Sequence, residues 1–167
     1  MTLRPIARTL FRRLLLSLVV VLVGVPCLID GFVIEPNFPR IIRQDVFIPN
    51  LPKALDGLKI VQLSDLHIVK YGKRESRALK LIRGIRPDLI CLTGDYIGDD
   101  GITPGDHSDQ YCIRQATRFA LGLSARYGVY GVSGNWDTPE VVPAFERVGV
   151  RMIDKESVTL TIRGTQL

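Results

Sequence analysis

Histidine is scarce in this chain: 167 residues hold two, His67 and His107. Cysteine is hardly commoner. Cys27, Cys91 and Cys112 stand far apart and form no C-x-x-C pair, which excludes a zinc ribbon and a disulfide framework. Cys27 falls in an apolar segment and Cys91 in a predicted buried strand, so both read as inert thiols. No G-x-x-x-x-G-K-[ST] occurs. Gly128, Gly131 and Gly134 have G-x-x-G spacing but lie within and after a predicted strand, not at the opening of a helix, so they make no dinucleotide fingerprint. Asp99, Asp100, Asp106 and Asp109 fit no EF-hand spacing and read as a solvated loop, as does His107 beside them. Acid is missing from residues 1–13, which carry Arg4, Arg8, Arg12 and Arg13. Without those four the net charge of +5 becomes +1, from 18 basic and 17 acidic residues. Nucleic acid is therefore not an expected partner.

What is there begins with a long apolar run. Leu14 to Ile29 is apolar apart from Ser17, Gly24 and Pro26. These residues would span roughly 24 Å as a helix, short of a hydrocarbon core of about 30 Å; including Leu10 and Phe11 would lengthen it, with Arg12 and Arg13 snorkelling. Four arginines before the run, and Asp30 and Glu35 after it, put the N-terminus in the cytoplasm and the remainder outside. The expectation is a single-pass cell-membrane anchor. A cleaved export signal is the competing reading, with Phe11-Arg12-Arg13-Leu14-Leu15 loosely of twin-arginine type; Val25-Pro26-Cys27 makes a poor lipoprotein site. The organisation predicted is a basic cytoplasmic stretch (1–13), an anchor (14–29), a proline-punctuated linker (30–56) with an edge strand over Gln44 to Pro49, and a domain from 57 to 167.

That domain alternates. Strands are predicted over 58–63, 88–93 and 128–133, with helices over 73–85 and 112–126. A third helix follows Thr138, as N-cap, and Pro139. Further strands are predicted over 150–153 and 157–162, the second alternating apolar and polar residues. Such alternation specifies an α/β fold with a mostly parallel sheet, whose ligand sites lie at the carboxyl ends of the strands.

Three polar motifs fall at those ends: Ser64-Asp65-Leu66-His67, Thr93-Gly94-Asp95 and Gly134-Asn135-Trp136-Asp137. Two carboxylates, an imidazole and an amide oxygen suit a divalent ion such as Mn, Fe or Zn. If the first strand runs on through Asp65 and His67, both point the same way and reach one ion. Asp95 could bridge two ions, and Asn135 could meet the second. Two metals about 4 Å apart clamp a phosphate and activate a water. Lys73 and Arg74 read as a solvated helix start or a phosphate contact. Tyr96 and Trp136 read as site walls or a stacking platform.

The order D-x-H, G-D, G-N-x-D, each after a strand, resembles the calcineurin-like metallophosphoesterases over about Asp56 to Leu167. The run from Leu55 to His67, with Ile34-Glu35-Pro36 before it, is close to their bacterial membrane-anchored or exported branch. The resemblance implies the strand-helix half of an αββα sandwich and phosphoester hydrolysis by a metal-bound hydroxide. By it, Asp65 and His67 bind the first metal, Asp95 bridges, and Asn135 binds the second. The substrate implied is a phosphoester, with lipid or cell-envelope phosphoesters suggested by the anchor alone. Asn135 and Asp137 are the catalytic candidates.

Two departures stand out. The family usually has G-N-H-D, and Trp136 takes the histidine's place; indole donates one hydrogen bond but is no general acid near neutral pH. Asp137, which supports that histidine in the family, would otherwise cap the following helix. The family also draws ligands from a later histidine and a G-H-x-H, so the second metal site is incomplete here and the chain reads as the N-terminal part of a longer protein. The missing second sheet would leave an apolar face exposed. The rival reading is a non-catalytic, membrane-tethered remnant or interaction domain; a nucleotide-binding module has only the coarse strand-helix pattern in its favour.

Overall fold

The computed structural model describes residues 4–98 and 108–167. The chain divides into two units, Met1–Arg40 and Ile41–Leu167.

The first unit is a helix, α1 (Arg4–Ile29), followed by a π-helical turn over Asp30–Ile34 and a 3-10 turn over Glu35–Asn37. The helix begins upstream of the apolar run and takes in Arg12 and Arg13. Leu and Arg are good helix formers, and no glycine interrupts the first five turns. Pro26 lies in the last α-helical turn. Phe11–Phe32, apolar apart from Arg12, Arg13, Ser17 and Asp30, is unburied and 22 residues long. At about 1.5 Å per residue that is roughly 33 Å, enough to cross a hydrocarbon core.

In the second unit four parallel strands stand in chain order: β1 (Ile60–Leu63), β2 (Leu89–Leu92), β3 (Val129–Gly131) and β4 (Val150–Met152). Between them run α2 (Lys73–Ile85), α3 (Asp109–Ala120) and α4 (Val141–Glu146). Because sheet order follows chain order, right-handed crossovers put all three helices on one face. They bury Leu79 and Ile82 of α2, Ala116 and Phe119 of α3, and Val141 and Phe145 of α4 against Ile90 and Leu92. The chain thus has the α/β class expected, with a parallel sheet and an apolar N-terminal helix.

The boundaries have local causes. Glu75, three residues into α2, accepts the Gly72 N–H at 2.7 Å, and Arg86 ends that helix in the left-handed conformation just before Pro87. α3 starts at Asp109 rather than 112, since the Ser108 hydroxyl caps the Tyr111 N–H. It stops at Ala120, six residues short of the prediction, at a turn where Gly122 lies tight against Leu79.

Other expectations are corrected. Thr138 does not cap α4: the helix opens two residues later, behind Glu140, and the Thr138 hydroxyl is buried without a hydrogen-bond partner. Gln44 to Pro49 pairs with no strand among the described residues. Of 157–162 only Thr161–Ile162 forms a strand (β5), antiparallel to Thr165–Gln166 (β6), with Leu160 and Leu167 exchanging backbone hydrogen bonds at its open end; Arg163 and Gly164 both take the positive φ of a tight hairpin turn. The sheet face away from the helices is mixed rather than apolar. The register sets Gln62, Cys91, Tyr130 and Arg151 in one row across it, while Ile60 remains half-exposed.

Candidate metal centre

Parallel strands bring their carboxyl ends to one edge. Past that edge the β1 and β2 chains stay side by side: the N–H groups of Asp65, His67 and Ile68 donate to the carbonyls of Gly94, Asp95 and Tyr96 at 3.2, 2.9 and 2.8 Å. β1 itself ends at Leu63, so Asp65 and His67 are not aligned by a continuing strand. Each instead adopts a left-handed backbone, φ 52° and 40°, as does Asp95 at 58°. Asp and His tolerate this region better than most residues, yet three together is backbone strain concentrated at one place. The result is convergence. Asp65, His67 and Asp95 each offer a ligand atom within 4.8 Å of the others, Asp65 exposed and the other two half-buried.

The loop after β3 closes over this group. The backbone N–H of Trp136 donates to Asp95 Oδ1 at 3.0 Å, and the Trp136 ring meets the His67 ring edge-on, centroids 5.6 Å apart. Gly134 packs so tightly that a Cβ there would overlap the Asp95 carboxylate and backbone nitrogen. Asn135 is exposed between these two neighbours of Asp95.

Asp137 turns inward. Its Oδ2 accepts the N–H groups of Asp95 and Gly134, each at 2.8 Å, and its Oδ1 those of Tyr96 and Ile97 at 2.8 and 3.3 Å. It clamps the Asp95 loop to the Asn135 loop and does not cap α4.

A second brace holds the first motif. Arg74 donates from Nη2 to the carbonyl of Leu66, between the two candidate ligands, at 2.8 Å, and from Nε to Glu75 at 2.6 Å. Arg74 is thus neither merely solvated nor simply open to a phosphate, and Lys73 beside it is exposed. Tyr96 is not a wall of the site: it is fully buried against Phe145 and donates to the Val132 carbonyl at 2.6 Å. Burial is the first reason its phenol is held above the usual range. Trp136, by contrast, is exposed beside the group. Asp99, Asp100, Asp106 and His107 lie outside the described residues.

Sequence reasoning missed Glu75 and Asp154. The glutamate had a signal, its place three residues after Gly72 at a helix start. Asp154, past the end of β4, accepts the Ser133 N–H and, at 3.0 Å, the Ser133 hydroxyl. Their separation of 21 residues left no local pattern to read.

The donor set fits a divalent cation. It offers hard oxygens and one imidazole, and the described ion pairs leave Asp65 and Asp95 unneutralised.

Comparison with known proteins agrees. Residues 58–161 match the family described as calcineurin-like phosphoesterase. UDP-2,3-diacylglucosamine pyrophosphatase LpxG of Chlamydia muridarum is 29% identical over 62% of this chain and 30% of its own length. The uncharacterized metallophosphoesterase YkuE of Bacillus subtilis is 33% identical over 62% of this chain and 35% of its own. A zebrafish (Danio rerio) transmembrane protein with metallophosphoesterase domain is 26% identical over 81% of this chain and 29% of its own. The chain spans about a third of the length of these relatives. The family match covers more than half of the chain and every residue of the centre just described, and the chain belongs to the calcineurin-like phosphoesterase family.

Proposed function

We propose that this chain carries the first part of a two-metal phosphoester hydrolase centre on a membrane-anchored protein. The observation that supports it is the convergence of Asp65, His67 and Asp95 at the carboxyl edge of a parallel sheet. In this reading Asp65 and His67 hold the first ion, Asp95 is shared, and Asn135 offers its amide oxygen to the second. Divalent ions of Mn, Fe or Zn type, when bound, neutralise phosphoryl charge and lower the pKa of water. The residues of the chain set the stage for that chemistry. Asp137 fixes the Asp95 backbone, Arg74 fixes Leu66, and the backbone N–H of Trp136 orients the Asp95 carboxylate. The indole of Trp136 can donate a hydrogen bond to substrate but cannot protonate a leaving group.

The substrate class is a phosphoester, and an envelope lipid phosphoester suits both the anchor and the likeness to LpxG. The proposed topology has residues 1–13 in the cytoplasm, 14–29 within a single membrane span, 30–56 as a linker and 57–167 as the domain on the extracytoplasmic side. Arg4, Arg8, Arg12 and Arg13 before the span support that orientation.

The second reading is a membrane-tethered domain without catalysis, favoured by Trp136 where the family's histidine would stand. Metal content and hydrolysis of p-nitrophenyl phosphate and its bis ester, measured on the same preparation, separate the two. Bound Mn, Fe or Zn lost in Asp95→Asn, with turnover of either ester, supports the hydrolase. Less than one equivalent of metal and no turnover would sink it.

A further inference from the structure

We propose that the groove between α2 and α3 is a binding surface for phosphate headgroups of an anionic membrane. It is a cavity of about 500 Å³ whose lining includes Tyr71, Lys73, Ser76, Arg77, Lys80 and Arg118, with no acid among its described lining residues. Lys73, Arg77 and Lys80 follow one another at helical spacing and share a face of α2. Arg118 enters from α3 with its guanidinium 4.4 Å above the Tyr71 ring. That ring's position is set by the backbone, since the Tyr71 N–H donates to the Gln115 side chain of α3 at 3.2 Å. Glu75, the acid of this turn, is turned inward to Gly72 and Arg74 and is only 4% exposed.

The clustering is specific to the groove. Residues 41–167 carry 17 basic and 15 acidic side chains, so the unit has little general excess of positive charge. Lys73, Lys80 and Arg118 are all exposed and supply the positive charge that a phosphate surface would meet. From Lys73 to Lys80 the stripe runs roughly 10 Å along the helix, room for adjacent headgroups rather than one small anion. A flat, repeating array of phosphates complements such a stripe. The same chain bears an apolar helix long enough to cross a membrane, which would hold a bilayer surface at high effective concentration. The groove shares no residue with the metal centre and does not depend on it.

The test uses the full chain in nanodiscs of phosphatidylcholine, with and without phosphatidylglycerol. Acetylation rates of Lys73, Lys80 and the exposed reference Lys155 are read by mass spectrometry. Phosphatidylglycerol should slow Lys73 and Lys80 severalfold, leave Lys155 unchanged, and lose its effect at high salt. Neutralising one cation, as in Arg118→Gln, should weaken the protection roughly fivefold. Lys80→Gln, read at Lys73, gives the same test at another exposed position, and Asp95→Asn should leave protection intact. Equal labelling in both discs would overturn the proposal. So would equal protection in phosphatidylcholine discs from millimolar inorganic phosphate, which marks a small-anion site, or from a short oligonucleotide.

Discussion

Asp137 and Asp95 are held together by a hydrogen bond in which the backbone N–H of Asp95 donates to Asp137 Oδ2 at 2.8 Å. The same carboxylate takes three further backbone N–H groups, so one side chain sets the shape of two loops at once. Hydrogen bonds to a charged acceptor contribute about 1.5–3 kcal/mol each, less than additively when they share an atom. Asp137→Ala should destabilise the unit by roughly 2–4 kcal/mol and weaken metal uptake. Denaturant unfolding and metal titration check both, and unchanged stability would refute the clamp.

His67 has a left-handed backbone, φ 40°, where an L-residue costs about 1–2 kcal/mol. His67→Ala and His67→Gly should both lose metal. The glycine variant should nonetheless be the more stable of the two, by roughly 1 kcal/mol once its greater unfolded-state freedom is counted. Equal stabilities, or alanine ahead, would show that this conformation carries no strain.

Gly134→Ala places a methyl group on the Asp95 carboxylate. The loop must shift, and overpacking of this kind costs typically about 1–3 kcal/mol. Metal affinity should fall with stability, although no candidate ligand has been changed. A variant that binds metal as wild type does would show that the loops have room to spare.

Trp136→His restores a group able to move a proton near neutral pH. If the centre hydrolyses phosphoesters, this variant should gain about 10²-fold or more on alkyl esters and much less on p-nitrophenyl esters, whose leaving group needs no proton. Equal gains on both would point to altered binding instead.

Burial raises the pKa of the Cys91 thiol. A raised folded pKa gives stability that is complete below the ordinary thiol pKa, about 8.5, and is lost as pH rises through the folded value. Alkylation near pH 8.5 should therefore be slower in the folded chain than in urea, and Cys91→Ala should flatten the fall in stability at higher pH. Alkylation at the same rate in both states would contradict the shift.

Much of this was legible in the chain. The helical spacing of Ala78, Leu79, Leu81, Ile82 and Ile85 marks α2 as a helix facing a sheet, and Arg86-Pro87 marks its end. Asp65, His67 and Asp95 could be picked out because carboxylates and imidazole directly after apolar strands have no packing role. The ends of elements were harder. Ser108 and Gly122 moved α3, and Arg163 with Gly164 turned a predicted strand into a hairpin, since caps and turns depend on single φ angles.

Sequence by itself determined the strand-helix alternation, the apolar span and the identity of the candidate ligands, all of which rest on local periodicity and residue chemistry. Only the tertiary structure decided how the ligands meet. Left-handed residues, not a continuing strand, aim Asp65 and His67. Asp137 and Arg74 then hold the loops from positions 42 and 8 residues away from the backbone atoms they grip. The placement of Asp154 on Ser133, and of Arg118 across from Lys73 and Lys80, is likewise a product of strand order and helix packing. Such contacts depend on where distant segments come to rest, and no local pattern encodes that.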